Sequence, residues 1–248
     1  MALTSSNPIL SENSFNRHAY LTGEDPGTMM SINGTLNKAL ILAVLVVASS
    51  VLVWQAVAAN QSLAMPLLIA GALGGLIIAL VINFKMESAP ILAPAYAVVE
   101  GLFIGSISQI LNVRYPGIVA QAIVITLAIM LTMLGLYRTG IIKASPMFVK
   151  IVSICTIGIG VTYLISFGMA MFGSRMPFIH ESTPLGIGIS LFTCGIAALN
   201  FIIDFDMIEK GAERGQPKYM EWFGAFGLMV TLVWLYIEVL RLLRKLRG

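Results

Sequence analysis

The chain alternates between long uncharged apolar stretches and short polar segments. No charged residue occurs between Lys38 and Lys85, and this stretch is too long for one membrane helix, because about 20 residues cross a bilayer. The polar residues 60–62 therefore mark a turn between two helices. The same pattern along the rest of the chain predicts seven membrane-spanning helices, at roughly 37–58, 64–84, 91–111, 117–137, 148–172, 184–206 and 220–240.

The composition agrees with an all-α, polytopic membrane protein. Hydrophobic residues make up 58% of the chain and charged residues 11%, whereas a soluble domain has about 25% charged residues. Residues 1–36 are polar and predict a flexible tail, and residues 37–248 predict a single transmembrane domain. The net charge of +3 does not indicate a nucleic-acid partner. We find no nucleophile–base motif and no P-loop, so we expect neither an enzyme nor a bound cofactor.

The distribution of Lys and Arg predicts a cytoplasmic N-terminus, because cytoplasmic loops carry the excess of these residues. In that orientation the inside set has nine members and the outside set has two. The inside set is Arg17, Lys38, Lys85, Arg138, Lys143, Lys150, Lys210, Arg214 and Lys218, and the outside pair is Arg114 and Arg175. Seven crossings would place the basic C-terminal end outside, against this bias. Either the last segment spans, or it is re-entrant and the tail stays inside.

Glycines on several predicted helices indicate packing faces, because small residues let helix backbones approach closely inside a membrane. Three of them lie on the second helix, two on the third and two on the fifth. We expect close contacts at Gly71, Gly74, Gly75, Gly101, Gly105, Gly158 and Gly160.

Asp204 and Asp206 lie at the end of the sixth predicted helix, and Glu221 lies at the start of the seventh. A carboxylate in or beside hydrocarbon is costly unless it is paired, protonated or hydrated, so it indicates a functional site. The connection between the two helices is short, which predicts antiparallel neighbours with Asp204 and Glu221 at similar depth. Two such carboxylates would share a proton. Alternatively, Asp204 and Asp206 pair with Lys210 and Arg214 at a hydrated helix end.

Two further acids lie within predicted helices. Glu100 is near the middle of the third helix, where it could line a proton or cation path. The alternative is a protonated side chain that hydrogen-bonds to Tyr96, Asn83 or Gln121. Glu238 precedes Arg241 by three residues, so the alternative to a functional role is an exposed ion pair at the membrane edge.

Four segments together resemble the Bax-inhibitor family in its bacterial, YccA-like branch. They are residues 32–38 (INGTLNK), 95–101 (AYAVVEG), 208–215 (IEKGAERG, after Asp204) and 235–238 (LYIE). The resemblance covers about residues 30 to 246. It implies a bundle of seven helices in which six surround the last, in a multi-pass protein of the bacterial inner membrane.

The resemblance further implies a pH-sensitive calcium leak governed by one carboxylate in the sixth span and one in the seventh. Asp204 takes the first role. The local sequence assigns the second to Glu238, whereas helix geometry favours Glu221. Such a site would bind calcium weakly and transiently, with Asp204 and Glu238 as ligands. The bilayer, protons and calcium are the expected partners of a monomer or weak oligomer. The alternative function is a non-transporting protein that modulates a membrane protease or a stress response.

Overall fold

The computed structural model describes residues 28–172 and 183–248, and the regular secondary structure of these residues is helical apart from one isolated β-bridge. The helices are α1 (Ile32–Ala59), α2 (Ala64–Phe84), α3 (Ala89–Arg114), α4 (Ile118–Arg138), α5 (Pro146–Met171), α6 (Pro184–Glu213) and α7 (Met220–Leu246). All seven are long and apolar enough to cross a membrane. The prediction of seven spanning helices is confirmed. Most of the predicted tail, with Arg17, and the loop that holds Arg175 lie outside the described residues.

The first helix begins at Ile32 rather than at residue 37, because Ser31 caps it. The Ser31 side chain accepts a hydrogen bond of 3.0 Å from the backbone N–H of Gly34, which satisfies one of the free donors at a helix start. At the other end of α1, Asn60 Oδ1 accepts from the backbone N–H of Ser62 at 3.1 Å. The predicted turn at residues 60–62 is therefore confirmed.

The last two helices extend beyond their apolar stretches. Helix α6 continues to Glu213 rather than ending near residue 206, and α7 continues to Leu246 rather than ending near residue 240. The 27 residues of α7 are continuous and about 40 Å long, enough to cross a bilayer, which favours the spanning alternative over a re-entrant one. The most apolar stretch of α7 is 67% buried, the largest share among the seven helices.

The chain divides into two compact units, and the first comprises the described residues up to Gly105 together with Asp206–Met229. Its helices pack through the predicted glycines. A methyl group added at Gly101 would lie 2.4 Å from Ser49 Cβ, and one at Gly71 would lie 2.4 Å from the backbone nitrogen of Phe103. Both contacts are too close for any side chain, so these glycines allow α1 and α2 to approach α3.

The second unit comprises Ser106–Phe205, apart from residues 173–182, and Val230–Gly248. Fully buried side chains from α6 and α7, such as Phe201 and Leu235, form part of its core. Helix α5 is peripheral, since only 6% of its most apolar stretch is buried. The prediction of close helix packing at Gly158 and Gly160 is wrong, because no described atom lies within 4 Å of a Cβ placed at either position.

Candidate functional site

Glu221, in the first turn of α7, has a side chain that is fully buried and surrounded by donors. Its Oε1 accepts from the Ser31 backbone N–H at 2.9 Å and from the Ser31 hydroxyl at 2.8 Å. Lys218 Nζ lies 3.1 Å from the same oxygen, and Lys38 forms an ion pair with Oε2. Two ammonium groups and two neutral donors therefore compensate the charge of this carboxylate.

The start of α1 is shaped to accommodate this carboxylate. A methyl group added at Gly34 would lie 2.1 Å from Glu221 Oε1, so a glycine is required to leave room for it. The chain before α1 is also held against the α6–α7 connection by the antiparallel bridge between Met29 and Pro217. This backbone pairing fixes Ser31 where it can donate to Glu221.

Glu238, in the second half of α7, is also buried, with 1% of its surface exposed. Tyr163 donates its hydroxyl to Oε1 at 2.8 Å, Trp234 donates its indole N–H at 3.2 Å, and Arg241 lies 3.0 Å away. The Arg241 guanidinium also stacks on the Tyr163 ring at 4.5 Å. The ion pair considered from the sequence exists, but it is buried rather than exposed. Because these donors already occupy the carboxylate, a calcium ion would have to displace them.

Asp204, in α6, has far fewer partners. The hydroxyl of Thr231 is its side-chain hydrogen-bond partner, and Oδ2 is buried with no hydrogen-bond partner among the described residues. The pairing of Asp204 with a carboxylate of α7 stays a prediction. What the structure shows is a buried acidic oxygen that no described donor compensates.

Asp206 differs from Asp204 although it lies only two residues further along α6. Lys210 donates to Asp206 Oδ2 at 2.7 Å, and these two side chains are 49% and 20% exposed, respectively. This is the ion pair at a hydrated helix end that the sequence offered as an alternative, and it holds for Asp206 but not for Asp204.

Glu100 is buried on α3, with 8% of its surface exposed. Of its three predicted partners, Tyr96 hydrogen-bonds to it. Asn83 donates to a carbonyl of its own helix, and Gln121 accepts from an arginine at the C-terminal end of the chain. A methyl group at Gly75 would lie 2.6 Å from Glu100 Oε2, so a glycine is needed here to make room for the carboxylate.

Asp204, Glu100, Glu221 and Glu238 thus form two classes. Glu221 and Glu238 are compensated by cations, whereas Asp204 and Glu100 each have one neutral hydroxyl partner. In residues 28–172 and 183–248, no group of three or more His, Cys, Asp or Glu side chains could hold a metal ion. Sequence reasoning missed the compensating residues, since Lys38, Tyr163 and Thr231 carry no local signal that they approach an acid.

The chain was compared with known proteins. A family model described as Bax inhibitor 1 like matches residues 7–248. No curated protein and no solved structure matches the chain. The match covers nearly the whole sequence, including these four acids and all seven helices, and so the protein is a multi-pass membrane protein that belongs to the Bax inhibitor 1 like family.

Proposed function

We propose that this protein is a pH-sensitive cation leak of the bacterial inner membrane, with its N-terminus in the cytoplasm and calcium as the permeating cation. The observation that carries the proposal is Asp204. Its Oδ2 is buried in a membrane-spanning helix with no described hydrogen-bond partner. A buried carboxylate needs a proton or a cation to neutralise it, because hydrocarbon does not solvate the charge.

Competition between a proton and a cation at Asp204 gives the pH dependence. In the closed state the protonated side chain is held to Thr231, which connects α6 to α7. When the pH rises and the proton leaves, the charged carboxylate keeps the Thr231 hydroxyl as a donor and attracts water and a cation, and this hydration opens the path. One carboxylate and one hydroxyl supply few of the six to eight oxygen ligands that calcium takes. Weak binding of this kind suits passage rather than storage.

The other acids have different roles in this proposal. Glu221 and Glu238 are structural, because cations already neutralise them. Glu100 is a second oxygen site for a cation, since it is buried and its partner Tyr96 is neutral. Asp206 lies outside the gate because Lys210 neutralises it.

The test is calcium entry into proteoliposomes that hold purified protein, measured from mildly acidic to mildly alkaline pH. We expect wild-type flux to rise with pH and Asp204→Asn to lose this dependence, because an amide cannot exchange the proton. Asp206→Asn is the matched control, with the same chemical change two residues away on the same helix, and it should behave like wild type.

Two results would contradict the mechanism. If Asp204→Asn kept the wild-type flux and pH dependence, Asp204 would not be the gate. If wild-type flux did not exceed that of empty liposomes at any pH, the leak itself would be excluded. The interaction function would then be favoured, and deletion of residues 1–27 should abolish co-purification of a membrane protease.

A further inference from the structure

We infer that the C-terminal end of α7 and the adjoining end of α3 form a binding site for the phosphate headgroup of an anionic membrane lipid. The cluster contains Arg114, Arg241, Arg244, Lys245 and Arg247, all in the second unit. Glu238 forms an ion pair with Arg241. Positions 239–248, which hold four of the five members, contain no acidic residue.

Neutral oxygens, not acids, hold two of these cations in place. Lys245 is buried and donates to the Gly186 carbonyl at 2.7 Å and to the Ser190 hydroxyl at 2.8 Å. Arg247 donates to the Pro116 carbonyl at 2.9 Å and to Gln121 Oε1 at 2.7 Å. These bonds fix the end of α7 without cancelling its charge, so the positive field of the cluster remains.

The two arginines best placed for an external anion are Arg114 and Arg244. Arg244 is half-buried and interacts electrostatically with both Arg241 and Arg114. Arg114 is exposed at the end of α3, where its guanidinium lies 5.9 Å from the centre of the Tyr115 ring. The like charges of Arg114 and Arg244 repel each other, and a phosphate bound by both would relieve the repulsion through charge-assisted hydrogen bonds.

The turn that follows α3, at residues 115–117, holds Arg114 beside α7. Gly117 has φ of 78°, a left-handed conformation that favours glycine, and its N–H donates to Asn112 Oδ1 at 3.1 Å. Because Arg247 binds the carbonyl of Pro116 in the same turn, the end of α3 and the end of α7 are tied together. The cationic groups are therefore arranged before a ligand binds, which lowers the cost of binding.

Apolar surface next to the cluster favours a lipid over a soluble phosphate. Val113 is 60% exposed beside Arg114, and Leu246 is 58% exposed beside Lys245. An anionic phospholipid presents a phosphate to the arginines and acyl chains to these residues. Basic clusters at the ends of membrane helices bind anionic lipid headgroups for this reason.

The test is native mass spectrometry of the full chain in detergent, titrated with phosphatidylglycerol, with neutral phosphatidylcholine and with soluble glycerol phosphate. We expect wild type to retain phosphatidylglycerol in preference to the other two ligands. The double variant Arg114→Gln/Arg244→Gln should bind it more weakly, by about fivefold for each arginine removed. The matched control Lys143→Gln/Lys150→Gln loses the same charge at exposed positions on the same unit and should bind like wild type.

The inference is wrong if wild type binds phosphatidylcholine as tightly as phosphatidylglycerol, or if the double variant keeps the wild-type preference. It is also wrong if the lysine control loses as much affinity, because the effect would then be one of net charge. Equal affinity for glycerol phosphate would exclude a lipid as the occupant. If the double variant does not fold, the single variant Arg114→Gln at an exposed position decides the same question. None of these outcomes depends on whether the protein conducts calcium.

Discussion

Glu221 and Asp204 are both acidic side chains on membrane-spanning helices, but they differ in what surrounds the carboxylate. Glu221 has two lysines, a serine hydroxyl and a backbone N–H as partners, whereas Asp204 has one hydroxyl and a buried oxygen with no described partner. A carboxylate with fixed cations has one stable state. A carboxylate without them must bind a proton or a mobile cation, and only this kind can report pH. The difference separates a structural acid from a candidate functional one.

The largest effect should follow removal of the charge at Glu221. Glu221→Gln leaves Lys38 with no described counter-charge, and Lys38 is only 17% exposed. Breaking a buried pair in this way costs about 3–5 kcal/mol. We expect a matching loss in the free energy of unfolding, measured in mixed micelles. Glu87→Gln, at an exposed position, is the control and should change stability little. Equal effects of the two variants would show that the Glu221 pairs contribute nothing.

A smaller loss should follow Gly34→Ala, which keeps every charge but fills the space beside Glu221. The new methyl group would lie 2.1 Å from Oε1, so either the carboxylate or the start of α1 must move. Overpacking of this kind costs about 1–3 kcal/mol. Gly158→Ala is the matched control, because open space surrounds that helical position and alanine should stabilise it by about 0.5–1 kcal/mol. A Gly34→Ala protein at least as stable as wild type would contradict the geometry of the cluster.

The smallest change in stability should follow Asp204→Asn, although this variant should have the largest effect on flux. The substitution replaces a carboxylate whose buried Oδ2 has no described hydrogen-bond partner with a neutral group of the same shape. Asparagine keeps an oxygen for the Thr231 hydroxyl, so we expect stability within about 1 kcal/mol of wild type, or higher. The same unfolding assay measures it. If Asp204→Asn lowered the free energy of unfolding as much as Glu221→Gln, Asp204 would have a compensating partner. The two acids would then belong to the same class.

The fold was predictable because it depends on local signals. Charge-free stretches gave seven helices, and the bounds of α2 match the predicted residues 64–84. The differences arise where a single side chain decides the end of a helix. Ser31 starts α1 early through its cap, and the Asp206–Lys210 pair lies within the polar extension of α6. These effects depend on side-chain geometry, which the hydropathy pattern does not contain.

The positions of the acids were also predictable, but the sequence did not show which of them are neutralised by a cation. A carboxylate in an apolar helix is visible in the sequence, and Asp204, Glu221, Glu238 and Glu100 were all identified from it. Whether each is neutralised depends on residues far away in the chain. Tyr163 is 75 residues from Glu238, and Lys38 is 183 residues from Glu221. The partners that were anticipated lie three or four residues away on the same helix, as in the Glu238–Arg241, Asp206–Lys210 and Tyr96–Glu100 pairs.

The separation between Glu221 and its partners also has a consequence for synthesis. Ser31 and Lys38 leave the ribosome 190 and 183 residues before the glutamate that binds them. At roughly 5–20 residues per second, this interval lasts about ten to forty seconds. During this interval the first helix is in the membrane, and the ammonium group of Lys38 lacks the carboxylate of Glu221 as its counter-charge. The nascent protein can form this cluster only after its last helix has been synthesised. In a chain truncated before α7, Ser31 and Lys38 at the start of α1 would therefore lack the carboxylate that binds them.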